Sequence, residues 1–261
     1  MNEERDETQI LTGLKSYWTE RAHSYSAQNV AEMNDWRRYA WRDVILENAP
    51  RKEHLRVLDV GTGPGFFAMA LALEGHTVTA VDVTEHMVQH ARINASAYGA
   101  DVSFILHRGE FLPFEDGSFD LIVSRNVLWN LQYPENALHE WARVLVPGGR
   151  MVYFDANWYR YLFDEQLRKE REEYRRKFAK KYPHVQSAGD LPPERVRDLE
   201  EMAYDLPLSK ELRPQWDVRV LTDSGMKIIK VEEQIGAIVQ NKAEFERDRL
   251  TPVFMVCAER M

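Results

Sequence analysis

The sequence predicts an α/β protein with a mostly parallel sheet, and three observations lead to this fold class. Short apolar segments alternate with helical patterns between residues 55 and 156, as they do where crossover helices join parallel strands. A Gly-rich turn follows the first of these segments, and an acidic residue, Asp82, stands at the end of the second. We therefore expect an open sheet covered by helices on both faces.

The elements of this core follow from local patterns. Five strands are predicted at 55–60, 76–83, 102–107, 119–125 and 150–156. The clearest helix spans 134–145, where Pro134 suits the first helical position and apolar residues recur at three- and four-residue spacing. Pro147-Gly148-Gly149 then ends the helix and turns the chain into the fifth strand.

Further elements are predicted on both sides of the core. Helical patterns lie at 8–24, 30–48, 160–182 and about 193–204, the last after Pro192-Pro193, and closing strands lie at 226–234 and 252–259. The run RKEREEYRRK within 160–182 is typical of a solvated helix face, with contact to an anionic substrate as the alternative. We expect one domain, 1–261, divided into a helical cap (1–54), a core (55–156), a helical lid (157–215) and a closing part (216–261).

Composition excludes several classes of protein. The 261 residues carry 34 Lys and Arg against 42 Asp and Glu, a net charge of −8, with 44% apolar residues. An apolar share of this size supplies a folded core, and an acidic chain lacks the basic footprint of nucleic-acid binding. The single Cys257 excludes an intrachain disulfide framework, and no run of about 18 apolar residues is present. We expect a cytoplasmic protein with no nucleic-acid partner, no membrane partner and no metal, and the oligomeric state stays open.

The Gly-rich turn is the most informative motif. It reads Leu58-Asp59-Val60-Gly61-Thr62-Gly63-Pro64-Gly65, lies between a predicted strand and a predicted helix, and precedes Asp82 by 21 residues counted from Gly61. Glycines let a ligand approach the backbone, and the helix N-terminus offers unpaired N–H groups. An acidic side chain at the tip of the second strand is suited to both hydroxyls of a ribose. The pattern therefore predicts a cofactor that contains adenosine.

The details of the turn argue against a dinucleotide. Phe66 occupies the place where a dinucleotide fingerprint needs its third glycine. Asp59, two residues before Gly61, places a carboxylate beside the turn and favours a cationic ligand over a pyrophosphate. S-adenosylmethionine is such a ligand, since it carries a sulfonium and an ammonium.

These motifs resemble the class I S-adenosylmethionine-dependent methyltransferases. The family's D-x-G-x-G-x-G loop matches Asp59, Gly61, Gly63 and Gly65, with Thr62 inside it, and Asp82 with Val83 matches the acidic ribose-binding position. The segments 112–131 and 138–152 resemble the family's fourth strand and the turn before its fifth. The resemblance is strong over 55–156 and weaker over 221–261. It implies a Rossmann-like sheet of seven strands with an antiparallel last strand.

The chain departs from the family after the third strand. Members of the small-molecule branch read G-D-A and two further residues before L-P, whereas this chain reads Gly109-Glu110-Phe111-Leu112-Pro113. Two residues are missing, and the resemblance implies that Glu110 takes the adenine amino group and Phe111 stacks on the ring. It also places the ammonium and the methyl near Asn126 and Leu128.

The acceptor site is expected at the ends of the fourth and fifth strands and under the N-terminal helices. The catalytic candidates are Asp155, Tyr17, Tyr25 and His23, and the substrate-binding candidates are Trp18, Trp129, Asn130, Trp158 and Tyr159. Some of these residues have a structural alternative. Asp155 would cap a turn, His23 would lie on the surface, and the aromatic side chains of Trp129, Trp158 and Tyr159 would pack against neighbouring residues.

We therefore expect an enzyme that transfers a methyl group from S-adenosylmethionine to an N, O or C nucleophile of a small molecule and releases S-adenosylhomocysteine. Three alternatives stay open. One is a methyltransferase acting on a protein or nucleic acid, and another is a non-catalytic binder of the cofactor. The third is a nucleotide-dependent oxidoreductase.

Overall fold

A computed structural model describes residues 7–183, 185 and 193–261. Of the predicted lid, residues 184 and 186–192 lie outside the described residues, among them Pro192 of the predicted helix start. In the described part of the chain, no helix is long and apolar enough to cross a membrane.

The sheet has seven strands in the order β3-β2-β1-β4-β5-β7-β6. The strands are β1 Arg56–Val60, β2 Thr77–Asp82, β3 Val102–Leu106, β4 Phe119–Arg125, β5 Leu145–Asp155, β6 Met226–Glu232 and β7 Phe254–Arg260. β1 to β5 run parallel to one another, and β7 pairs antiparallel with both β5 and β6. The predicted fold class is confirmed, including the antiparallel last strand.

Ten helices surround the sheet in the described part of the chain. They are α1 Glu7–Met33, α2 Trp36–Asn48, α3 Phe66–Ala72, α4 Glu85–Tyr98, α5 Pro134–Val144, α6 Glu165–Lys181, α7 Pro193–Asp205, α8 Gln215–Asp223, α9 Gly236–Val239 and α10 Lys242–Arg247. Short 3₁₀ turns lie at Leu128–Asn130, Arg160–Leu162 and Pro207–Ser209.

The N-terminal helices differ from the prediction of two helices at 8–24 and 30–48. One continuous helix, α1, covers Glu7–Met33, because no glycine or proline interrupts it there after Gly13. The chain breaks later, at Asp35, whose side chain accepts a hydrogen bond from the Arg37 backbone N–H and caps α2.

Successive strand residues point to opposite faces of the sheet and build two apolar layers. Val57 belongs to the layer that packs against α2 and α3, whereas Leu58 belongs to the layer that packs against α5 and α8. Both side chains are fully buried. A third cluster joins α1 to α7 through residues such as Leu14 and Met202. The predicted lid region therefore packs against the N-terminal helix.

Candidate active site

A cavity lies at the carboxyl ends of β1 to β4, beneath α1. It opens where the strand order reverses between β1 and β4, the place where open α/β sheets bind ligands. Its walls are the Gly-rich turn after β1, the ends of β2 and β4, the segment after β3 and one face of α1. A concave site that combines apolar side chains with a few polar groups is typical of small-molecule sites.

The Gly-rich turn is held against β2 by its backbone. The N–H groups of Gly61 and Thr62 both donate to the Val81 carbonyl oxygen, at 2.8 and 3.0 Å. Gly61 has φ +67°, and a Cβ atom there would overlap the side chain of Val127. This position therefore requires glycine both for its backbone conformation and for the space beside β4.

Asp82 organises the turn from the end of β2. Its Oδ2 accepts a hydrogen bond from the Gly63 N–H at 2.9 Å, and its Oδ1 accepts one from the Thr84 N–H at 2.8 Å. Burial raises the pKa of this carboxyl, and the backbone hydrogen bonds oppose that rise. The side chain lines the cavity, where its remaining lone pairs are able to accept hydrogen bonds from a ligand.

Asp59 adds a second buried carboxyl beside the turn. Its Oδ2 accepts hydrogen bonds from the Thr62 hydroxyl at 2.6 Å and from the Ala68 N–H at 3.1 Å. Burial raises the pKa of Asp59 to about 7. A cation bound in the cavity would favour the ionised form of this group.

The end of β4 supplies two further polar groups to the lining. Arg125 pairs with Glu32 of α1 at 2.8 Å, and Asn126 follows it with φ +60°. The Asn126 backbone N–H donates to the Phe154 carbonyl oxygen at 2.8 Å, whereas its side-chain Oδ1 is buried without a hydrogen-bond partner. A buried acceptor without a partner carries a desolvation cost that a ligand donor would remove.

The segment after β3 forms the other end of the cavity. Glu110 lines it, is 4% exposed and pairs with Arg108 at 3.1 Å. The predicted stacking residue Phe111 is 47% exposed, lies outside the lining and contacts Arg108 and the Tyr133 ring instead. Glu110 therefore lies in the cavity lining, as the sequence predicted, whereas Phe111 does not.

One face of α1 roofs the cavity. The lining side chains are Leu11, Leu14, Trp18, Tyr25 and Asn29, spaced at three, four, seven and four residues as one helix face requires. Ser26, on an adjacent part of the helix, donates to Asn94 of α4 at 3.4 Å and helps to hold the roof in place.

Asp155, a predicted acceptor contact, requires a correction. It is 1% exposed and does not line the cavity. Its Oδ2 accepts hydrogen bonds from Arg213 Nη1 at 2.6 Å and from the Trp129 N–H at 3.0 Å. The side chain therefore connects the predicted lid region to the segment after β4, which is a structural role.

Several other predicted residues also lie outside the lining. Tyr17 is buried in the cluster between α1 and α7, and His23 is exposed beside the His90 ring, with the two ring centroids 5.9 Å apart. Trp129, Trp158 and Tyr159 pack together in that same cluster, Leu128 lies in the core, and Gly65 forms the N-terminus of α3. Around Tyr17, Trp129, Trp158 and Tyr159, side chains from distant parts of the chain occupy the space that the sequence assigned to a ligand.

The remaining predicted residues do line the cavity. They are Asp59, Gly61, Thr62, Gly63, Asp82, Val83, Glu110, Asn126, Trp18, Tyr25 and Asn130. The sequence did not single out the roles of Asn29 or Arg125, although a cation directly after a buried strand is a signal that could have marked Arg125.

Comparisons with known proteins support this fold. The open sheet and its cavity at the point of strand reversal define a doubly wound α/β ligand-binding domain. A family model described as a methyltransferase domain matches residues 58–153. The match covers a little over a third of the chain, and over these residues the chain is similar to a methyltransferase domain, in agreement with the predicted resemblance.

Curated relatives match stretches of 106 to 122 residues of this chain. A malonyl-acyl-carrier-protein O-methyltransferase of Erwinia pyrifoliae is 42% identical over 42% of this chain and 40% of its own length. A demethylmenaquinone methyltransferase of Thermus thermophilus is 39% identical over 46% and 53%, and a ubiquinone biosynthesis O-methyltransferase of Caulobacter is 34% identical over 40% and 42%. The chain thus spans about half the length of these relatives, or less.

Solved structures share the fold over most of the chain. A methyltransferase from Aquifex aeolicus has a TM-score of 0.55 at 21% identity and covers 90% of this chain and 98% of its own. A geranyl diphosphate C-methyltransferase from Streptomyces coelicolor has a TM-score of 0.59 at 14% identity and covers 91% and 84%. At these identities the likeness concerns the fold alone.

Proposed function

We propose that this protein transfers a methyl group from S-adenosylmethionine to a nucleophile of a small molecule. The charge of the cavity carries the proposal. Three carboxyl groups line it, those of Asp59, Asp82 and Glu110, against the single guanidinium of Arg125. A lining with excess negative charge favours a cofactor with a sulfonium and an ammonium, and disfavours the pyrophosphate of a dinucleotide.

The lining suits each part of this cofactor. Gly61 and Gly63 let the methionine part approach the backbone, and Asp82 accepts hydrogen bonds from the ribose. Glu110 would face the adenine, and the unpartnered Oδ1 of Asn126 would accept a hydrogen bond from the ammonium. These are the residues that would hold the cofactor in the cavity.

Methyl transfer requires little covalent chemistry from the protein. The cofactor supplies an electrophilic methyl on sulfur, and the chain aligns the acceptor with it and excludes water. The apolar end of the roof, with Leu11, Leu14 and Trp18, provides a dry wall for the acceptor. Tyr25 is the titratable residue of α1 that lines the cavity, and we assign it the acceptor contact in place of Asp155.

A small acceptor fits the enclosure of the site. The roof helix α1 covers the cavity and packs against α7 through Leu199, Met202 and Ala203. The names of the relatives point in the same direction, because two of them refer to quinone biosynthesis or demethylmenaquinone. A long polymer would need an open groove instead.

Calorimetric titration with S-adenosylmethionine, S-adenosylhomocysteine and NAD tests the cofactor. Asp82→Ala should weaken binding of both sulfur ligands about 10- to 150-fold, the usual worth of a hydrogen bond to a charged group. Asp101→Ala, which removes an exposed carboxyl from the loop before β3, should bind as the wild type does. Thermal unfolding of both variants separates lost contacts from lost folding. Binding of NAD in preference to the sulfur ligands would overturn the proposal and select an oxidoreductase.

Mass spectrometry tests the acceptor. Amines, phenols and carboxylates are incubated with protein and cofactor, and the product should gain the mass of one methyl group. Transfer to protein or RNA alone would replace the small-molecule acceptor by a macromolecule. Cofactor binding without transfer to any of these classes would favour a non-catalytic binder.

A further inference from the structure

We propose that Arg125 binds a carboxylate inside the cavity, that of the methionine part of S-adenosylmethionine, and that Glu32 of α1 positions its guanidinium. This inference rests on the proposed function and assigns a role to a residue that the sequence motifs leave without one. Four observations on the described residues carry it.

The guanidinium is held in an aromatic cage. Its central carbon lies 5.2 Å from the Trp41 ring centroid, 4.7 Å from that of Phe66 and 5.2 Å from that of Phe67. The side chain is only 13% exposed, yet it lines the cavity. Contacts with aromatic faces restrict the plane of a guanidinium, and loss of water makes its hydrogen bonds to an anion stronger.

Most donors of this guanidinium are unused. Nη1 donates to Glu32 Oε2 at 2.8 Å, and within residues 7–183, 185 and 193–261 this is the only hydrogen bond of the group. An arginine has five N–H donors in a fixed planar fork, which matches a carboxylate with two parallel hydrogen bonds. Arg125 therefore has donors left for a ligand carboxylate.

Arg125 stands beside the unpartnered acceptor of Asn126. A free α-amino acid group carries an ammonium and a carboxylate on the same carbon, so its site needs an acceptor and a donor side by side. Asn126 Oδ1 offers the acceptor and Arg125 the donors, and both residues line the same cavity. Two consecutive residues thus present complementary groups to one zwitterion.

The charges and contacts around Arg125 place it at the methionine end of the cavity. Arg125 lines the cavity together with Asp59 and Tyr25, and the Tyr25 ring is the nearest neighbour that a Cβ atom on Gly63 would meet. The opposite end, toward the predicted adenine, has its own cation in Arg108, which is paired with Glu110. The fork of Arg125 is therefore next to the turn that would hold the methionine.

The ion pair with Glu32 also connects the guanidinium of Arg125 to the roof helix α1. The carboxylate comes from the last part of α1, so Arg125 holds α1 through Glu32 on one side and the ligand on the other. A bound carboxylate would fix the position of Arg125 and hence of α1. A ligand without that carboxylate would occupy the cavity and leave the roof unchanged.

Paired ligands and paired variants test this assignment. S-adenosylhomocysteine carries the amino-acid group, and 5′-methylthioadenosine lacks it. Titration calorimetry should show that Arg125→Gln weakens the first ligand about 10- to 150-fold and changes the second by less than about threefold. The control Arg108→Gln removes a cation at the other end of the cavity and should change both affinities by the same factor.

Arg125→Gln leaves the Glu32 carboxylate without its partner, so the double variant Arg125→Gln/Glu32→Gln removes both charges and keeps the experiment available if the single variant does not fold. It should show the same selective loss. Hydrogen exchange of the wild type should also show greater protection of α1 with S-adenosylhomocysteine than with 5′-methylthioadenosine.

The possible results distinguish a failure of the Arg125 assignment from a failure of the proposed function. Equal weakening of both ligands by Arg125→Gln, or no weakening at all, would show that Arg125 only fastens α1 to the sheet and would overturn this inference while the proposed function stands. A wild-type protein that binds neither ligand would overturn both.

Discussion

Replacement of Arg213 by Met should be among the most destabilising single changes in this protein. Arg213 is 2% exposed and donates to two buried carboxylates: Nη1 to Asp155 at 2.6 Å, and Nε and Nη2 to Asp217 at 2.9 and 2.7 Å. Asp217 also accepts a hydrogen bond from the Tyr153 hydroxyl at 2.9 Å. The variant would leave two carboxylates buried without their cation.

The expected loss of stability follows from that burial. Removal of one partner from a buried ion pair costs about 3–5 kcal/mol. For a chain of this size each kcal/mol corresponds to about 2–4 °C in Tm, so the midpoint should fall by about 6–20 °C. The effect should also reach the site, because Asp155 accepts a hydrogen bond from the Trp129 N–H in the segment that follows Asn126.

Urea unfolding followed by circular dichroism measures the free energy of unfolding. Lys177→Met is the matched control: it breaks the Lys177–Glu173 pair, whose side chains are 70% and 61% exposed, and should change the free energy of unfolding far less than Arg213→Met does. The triple variant Arg213→Met/Asp155→Asn/Asp217→Asn should recover part of the loss, since it leaves no buried charge. A loss below 1 kcal/mol in Arg213→Met would refute the argument that these carboxylates depend on it.

Three further predictions concern the Gly-rich turn. Because burial raises the pKa of Asp59 to about 7, a cationic cofactor should displace a proton from it, and affinity should rise as pH increases from 5 to 7 and level off above 7. Calorimetry in buffers of different ionisation enthalpy measures that proton, and Asp59→Asn should reduce the dependence, with the remainder due to Asp82, whose pKa burial also raises. The same raised pKa should lower folding stability as pH rises from about 4 to about 7, since the unfolded carboxyl ionises first. Gly61→Ala should cost more stability than Gly99→Ala, because both have φ +67° but only Gly61 meets Val127, whereas Gly99 has nothing within 4 Å; equal losses would mean that backbone strain alone matters.

Local patterns in the sequence were sufficient for the sheet. Alternating apolar segments and the turn residues around them reflect burial within a few neighbours, so most strands and helices fall where they were predicted. One exception is β5, which begins at Leu145, five residues before its predicted start, and contains the predicted turn Pro147-Gly148-Gly149. The break between α1 and α2 was misplaced, because the helix end depends on the cap at Asp35 rather than on the apolar stripe. Local spacing also predicted that Asp59, Gly61 and Asp82 lie together at one cavity, since all three belong to one strand-turn-helix-strand unit.

The sequence by itself determined the class of fold, the Gly-rich turn and the acidic groups at its edge, because each rests on short-range spacing. Only the tertiary structure showed that Asp155 pairs with Arg213, a residue far along the chain. It also showed that α1 turns Tyr25 rather than Tyr17 toward the cavity. It also decided that Arg125 keeps donors free beneath α1. Ion pairs and cavities form between distant segments, and no spacing within one segment specifies which partner a buried charge will meet.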